Sequence, residues 1–216
     1  HAASPAPDGS AIAEAARLAI AAKRPLILAG GGAKRAEAQL RALAEKLDAP
    51  VVQTANARGL MHAHPLAVPA SPSLKAVRAL MADADFVLAA GTEFGPTDYD
   101  MYGDGGFVLP ANLARIDIDA AQLARRPVTV SIRADCTAAL AALLARLDEA
   151  GHSASAQQGA TATGGGAAPS AGAARAAAAR QAAWAEIGPA MQAQVKVVEA
   201  IRDALPGALV VGDSTQ

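Results

Sequence analysis

Gly30-Gly31-Gly32 is the first place in the chain where residue type and spacing could do chemistry. A glycine has no Cβ, so a phosphate can approach its backbone, and amides at a helix start favour an anion. Gly30 and Gly32 fit the first two positions of a dinucleotide-binding fingerprint, but Arg35 holds the third. The next strand-like run ends in Gln53-Thr54, with no acid for a ribose, and no Gly-Lys-Ser/Thr of a P-loop follows. Nucleotide contact and a plain tight turn stand level. Asp98, Asp100 and Asp104 have some of the spacing of a calcium loop, but Tyr102 and Leu109 stand where two of its ligands belong. His62 and His64 are two apart with no cysteine or acid beside them, a poor metal pair. Cys136 opens a helical pattern, where a thiol pKa can fall. It has no histidine nearby in sequence, and packing is its expected role. Neither a Ser-His-Asp arrangement nor a Gly-x-Ser-x-Gly elbow is present.

These residues need elements to hold them, and the hydrophobic pattern supplies those elements. Asp8 is a plausible cap for a helix with Ile12, Ala16, Ala19 and Ile20 on one stripe. Leu26-Ile27-Leu28-Ala29, bounded by Pro25 and Gly30, reads as a buried parallel strand. The glycines then open a helix carrying Leu40, Leu43, Ala44 and Leu47, and Val51-Val52-Gln53 is the next strand. Strand, helix and strand make a right-handed parallel crossover. A helix over 71–81, a strand over 85–90, strands over 113–117 and 128–132, and a helix from Asp135 to Leu147 continue the alternation. About five strands and four helices predict an α/β fold: a three-layer parallel sheet with helices on both faces. Five of the six aromatics, Phe86, Phe94, Tyr99, Tyr102 and Phe107, fall around the loop after the 85–90 strand. That is where ligands bind in open α/β sheets, although a packed loop or a subunit contact would gather aromatics too.

Composition bounds the rest. The chain has 216 residues, is 52% hydrophobic, and has 19 basic against 20 acidic residues. That suits one large domain with a core, and nothing in it points to nucleic acid or a membrane surface. The single cysteine fits a cytoplasmic setting. Residues 150–172 are rich in Gly, Ala, Ser, Thr and Gln and read as a flexible linker between a domain at 8–149 and a second unit at 173–216. Helices are expected near 173–187 and 189–205, with a strand at 208–211. His1 and the abrupt end at Gln216 suggest a piece of a longer chain.

The order of several segments resembles one family. Arg24-Pro25-Leu26-Ile27-Leu28-Ala29-Gly30-Gly31-Gly32 is similar to the opening strand of the central domain of acetolactate synthases and related thiamine-diphosphate-dependent 2-oxo acid decarboxylases. Leu47 to Thr54, Gly59-Leu60 with His64-Pro65-Leu66, Ala84 to Thr92, Arg115-Ile116-Asp117-Ile118-Asp119 and Ala134-Asp135-Cys136 resemble its later segments in the same order. The resemblance covers residues ~10 to 148, and Val195 to Gln216 resembles the start of the family's cofactor domain. The block from Gly91 to Asp100 is most similar to the 2-oxoarginine decarboxylase branch.

The resemblance implies an enzyme with three α/β domains, using thiamine diphosphate and Mg2+ on a 2-oxo acid, and a homodimer or homotetramer when whole. The activating glutamate and the metal motif of such enzymes have no counterpart here, so the 216 residues alone are expected to be inactive, with no catalytic residue of their own. By the same resemblance a nucleotide cleft falls to Gly30, Gly31, Gly32, Gly91, Thr92, Glu93, Asp117, Asp119 and Asp135, and a thiamine-diphosphate edge to Ser214, Thr215 and Gln216. Glu93 falls near where flavin-binding members often place an arginine. An acid beside a pyrophosphate is unfavourable, so FAD is doubtful and the cleft is expected to be vestigial. The competing readings are a stand-alone nucleotide-binding or regulatory docking module and, weakened by Arg35, an NAD dehydrogenase.

Overall fold

The computed structural model describes residues 4–151 and 168–208. Asp8 begins the fold: its carboxylate accepts from the Ala11 N–H at 2.9 Å and caps α1 (Gly9–Ala21). Ile12, Ala15, Ala16 and Ala19 form the buried stripe of that helix. The chain then enters β1 (Pro25–Ala29), buried at every position, as a strand covered on both faces must be. α2 (Glu37–Leu47) returns along one face, burying Leu40, Leu43, Ala44 and Leu47. A fully buried leucine side chain contributes about 1.5–3 kcal/mol. Asp48, in the left-handed region at φ 50°, ends the helix.

β2 (Val51–Gln53), β3 (Ala67–Val68), β4 (Phe86–Ala90), β5 (Leu113–Asp117) and β6 (Val130–Arg133) complete one six-stranded sheet in the order β3-β2-β1-β4-β5-β6. Every pairing is parallel. α3 (Lys75–Asp83) joins β3 to β4, and the short α4 (Pro96–Tyr99) and α5 (Ala120–Ala124) flank β5. α6 (Cys136–Glu149) is capped by Asp135, whose carboxylate accepts from the Thr137 N–H at 2.8 Å. Two apolar clusters sandwich the sheet. One holds the stripes of α1, α2 and α6; the other holds Val77, Leu80 and Met81 of α3 with Ala176, Ala179 and Ala183. The expected three-layer α/β architecture is therefore present.

Several details differ from expectation. The sheet has six strands rather than about five, because β3 is only two residues long and too short to show a period. The helix expected from Ser71 begins at Lys75, because Ser71, Pro72 and Ser73 form a turn instead, with the Ser73 hydroxyl donating to Asp98 O and accepting from Met101 N. The strand expected at 128–132 is shifted to Val130–Arg133. The glycines do not open α2: Gly31–Ala33 is a 3-10 turn, and α2 starts only at Glu37. After the undescribed residues, α7 (Ala171–Ala204) is one run interrupted at Gly188 (φ 74°, ψ 170°), just before Pro189. Residues 173–187 and 189–204 are thus two helices end to end, as expected, but the first packs on the sheet of the 8–149 domain. The boundary expected at 173 does not coincide with a break in packing. Most of the 150–172 segment and the 208–211 strand lie outside the described residues.

Candidate functional site

The C-terminal ends of β1, β4, β5 and β6 bring most of the expected cleft residues together. Gly32, Gly91, Glu93, Asp117, Asp119, Gln122, Asp135 and Cys136 line a cleft of about 350 Å³. Gly30, Gly31 and Thr92 are not among its lining residues. Gly30 is buried behind the turn, Gly31 faces Asn56 and Thr92 is buried with its hydroxyl 3.0 Å from the Tyr99 hydroxyl.

The glycines are used for close approach between two neighbouring turns. Gly32 N–H donates to Gly91 O at 3.0 Å, and Gly30 N–H donates to Ala90 O at 2.9 Å. A Cβ on Gly30 would collide with Gly91 O, and one on Gly32 would lie 2.8 Å from Gly91 Cα. Gly91, at φ 61°, reciprocates against Gly32. The two turns pack against each other, and these two amides have acceptors in the β4 turn. The geometry is that of a tight turn, which is compatible with both readings left open by the sequence.

The acids of the cleft have structural partners. Asp117 Oδ1 accepts from Asp119 N–H at 3.0 Å, and Asp119 caps α5 by accepting from Ala121 N–H at 2.8 Å. Asp135 caps α6. Glu93 is exposed. Behind the wall lies a residue that the sequence reading passed over. Arg115, fully buried in β5, donates to Gln122 O at 2.7 Å and Thr92 O at 3.0 Å and sits 3.4 Å from Asp117 Oδ2. It also stacks over Phe94, 5.3 Å from the ring centroid. Arg115 thereby offsets the charge of Asp117. Burial draws the Arg115 pKa below the guanidinium range, while Asp117 pulls the other way. Two charged residues, Arg115 and Asp117, in a five-residue strand-like run were the available signal. Cys136 belongs to the cleft too, but burial, reinforced by Asp135 and Asp117, pushes its thiol up to about 12, so the thiolate is scarce near neutrality.

Below the cleft, Phe94, Tyr99 and Phe107 pack with centroids 4.8–5.8 Å apart. Arg78 grips the loop beyond them through Asp100 at 3.2 Å and Asp104 at 2.6 Å. This is a packed loop, and its acids are spent on Arg78 and on backbone amides such as Gly105 N–H and Gly106 N–H. His64 accepts from Leu66 N–H at Nδ1, which leaves Nε2 to donate to Glu45 at 3.0 Å. Among the described residues no grouping of His, Cys, Asp and Glu could hold a metal ion, and no helix is long and apolar enough to cross a membrane.

Residues 12–143 match the family model described as the thiamine pyrophosphate enzyme central domain. The chain belongs to the thiamine pyrophosphate enzyme family. It is 39% identical over 153 residues to a probable 2-ketoarginine decarboxylase of Pseudomonas aeruginosa, covering 69% of this chain and 27% of that one. A sulfoacetaldehyde acetyltransferase of Rhodobacter capsulatus is 38% identical over 171 residues, covering 72% of this chain and 28% of its own length. The crystal structure of benzoylformate decarboxylase from Polynucleobacter necessarius shares the fold, with a TM-score of 0.51 at 21% identity over 65% of this chain and 27% of that one. The chain spans about a quarter of the length of these thiamine pyrophosphate family relatives.

Proposed function

We propose that the chain is the central domain, with the lead into the cofactor domain, of a thiamine-diphosphate- and Mg2+-dependent enzyme acting on a 2-oxo acid. The match over residues 12–143 is the observation that carries this reading. The relatives' names include a decarboxylase, an acetyltransferase and an acetolactate synthase, so the reading spans decarboxylation and acetolactate synthase-like carboligation. A 2-oxo acid with a guanidino tail is the favoured substrate, from the likeness to the 2-ketoarginine relative. When bound, thiamine diphosphate supplies the electron sink for loss of the carboxyl carbon. The chain's own contribution is a rigid sheet that spaces the parts on either side of it. In this reading residues 8–149 form the central domain, 150–172 the linker and 173–216 the entry to the cofactor domain, its first helix, to residue 187, docked on the central sheet. Ser214, Thr215 and Gln216, assigned to the thiamine-diphosphate edge, lie outside the described residues. The whole enzyme would be a cytoplasmic homodimer or homotetramer, with no nucleic-acid or membrane partner.

The nucleotide cleft does not fit FAD. Its Gly30, Gly32 and Gly91 amides have acceptors, and its lining includes four acids and no lysine or arginine. A carboxylate about 4 Å from a phosphate charge costs about 4 kcal/mol at an effective dielectric near 20 before screening. Pairing with Arg115 relieves Asp117, and capping occupies Asp119 and Asp135, but Glu93 remains.

A chimaera tests both statements. Replacing the matched span of the 2-ketoarginine relative with residues 12–143 should preserve turnover of a 2-oxo acid when thiamine diphosphate and Mg2+ are present, and calorimetry should detect no FAD binding. The 216-residue chain alone should release no carbon dioxide. Turnover by the isolated chain, or a folded chimaera without activity, would count against the assignment; micromolar FAD binding would overturn the account of the cleft.

A further inference from the structure

Residues 170–187 lie beyond the span matched by the family model, yet they are attached to the domain along their whole length. At the start, the Asp48 carboxylate accepts from the Ser170 hydroxyl and from the Gly172 N–H, the latter at 2.7 Å. Gly172 has no room for a side chain, because Asp48 O stands where its Cβ would go. One turn on, Arg175 donates to Pro25 O at 3.0 Å and lies 3.6 Å from Asp83. Arg180 donates to Pro65 O and Ala67 O at 2.9 and 2.7 Å. At the far end, Glu186 accepts from Lys75 N–H and Ala76 N–H at 2.8 and 2.9 Å and so caps α3.

These partners have a spatial order. Asp48, Pro25 and Pro65 stand at the entry ends of β2, β1 and β3, whereas α3 starts beyond the exit end of β3. The helix therefore runs from the entry edge of the sheet to its exit edge, and it stops there at Gly188. Its buried residues against this face are the alanines Ala176, Ala179 and Ala183, with a half-buried Ile187 at the end. An alanine methyl buries little area, so apolar contact alone holds such a helix weakly and lets it slide. The polar clamps define its position.

We propose that residues 170–187 are a strap that fixes where the chain leaves the central domain, and that Gly188 is the pivot that sets the direction of the helix at 189–204. The combination φ 74°, ψ 170° at Gly188 is open essentially to glycine alone, so one residue determines that direction. The strap is independent of which reaction the whole enzyme performs.

Hydrogen exchange and spin-label distances on the 216-residue chain test it, with labels placed through Ala38→Cys and Lys196→Cys. The buried Cys136 is left in place. Amides of 173–187 should be protected to the same order as those of α3. Asp48→Ala should lower protection over the first turns of the strap by about tenfold, the effect of losing a helix cap, while β1, β4 and β5 keep theirs. Glu186→Ala, at an exposed position, should act only at the far end and serves if Asp48→Ala does not fold. Gly188→Ala should leave strap protection intact and shift the label distance. The proposal is overturned by free-peptide exchange rates across 173–187 in the parent chain. It is equally overturned by protection that neither clamp variant changes, or by a label distance that Gly188→Ala leaves in place.

Discussion

Cys136 shows how far one residue can depart from the rule for its position. A thiol at a helix N-terminus ordinarily has a lowered pKa, but here burial reverses the effect and the thiol is pushed up to about 12, from an ordinary 9.0. Because the folded-state value is the higher one, the native protein holds this proton more tightly. The stabilisation is full below about pH 9 and is lost as pH rises toward about 12. One site contributes a slope of at most about 1.4 kcal/mol per pH unit. In urea melts the stability advantage of wild type over Cys136→Ala should shrink between about pH 8 and about pH 11; a gap that stays constant would mean that the thiol is not perturbed. The packing role of Cys136 was legible in the sequence, from the missing histidine. Arg115 was not read, because its partners are the carbonyls of Thr92 and Gln122, backbone groups that every sequence contains at every position.

At the scale of elements, β1 and β4 are neighbours, and the turns that leave them must pass each other. The passage is narrow enough to require glycine on both sides. Alanine at Gly91 would have its Cβ 2.5 Å from Gly32 Cα and would sit at φ 61°. Left-handed backbone and overpacking together predict a loss of about 2–5 kcal/mol for Gly91→Ala. Gly59, at φ 98° with nothing within 4 Å of a built Cβ, offers the contrast. Gly59→Ala should cost only the backbone part, about 1–2 kcal/mol. Denaturant midpoints measure both, and equal losses would contradict the interlocked turns. β1, β2, β4 and β5 were legible because apolar runs bounded by proline, glycine or aspartate have few alternatives. The glycine triplet stayed ambiguous because spacing along one turn says nothing about the turn beside it. α3 was recognised as a helix over 71–81, but its start was misplaced because Ser73 spends its hydroxyl on Asp98 and Met101 rather than on a cap.

In the whole molecule, the alanine-rich helix after residue 170 was recognised as a helix, but its packing on the central sheet was not read. Alanines give a faint stripe, and the anchors Arg175, Arg180 and Glu186 hold backbone groups, which carry no sequence signal. Its place also determines what the preceding segment has to do. Asp148, near the end of α6, meets Lys46 at 2.5 Å, and Ser170 meets Asp48, two residues further along the same turn. The two ends of the 152–167 stretch are therefore held side by side. Halving the length of chain between two held ends changes the closure cost by only about 0.6 kcal/mol. Deleting about half of residues 152–167 should leave the denaturation midpoint unchanged or slightly raised; a loss above about 2 kcal/mol would reveal contacts that the closure estimate omits. Because both ends are pinned to one turn, length between them is almost invisible to the fold. Insertions and deletions should accumulate there in descendants of this sequence, and a guest domain whose own termini lie close together could be spliced between Gly151 and Pro169 without disturbing the sheet.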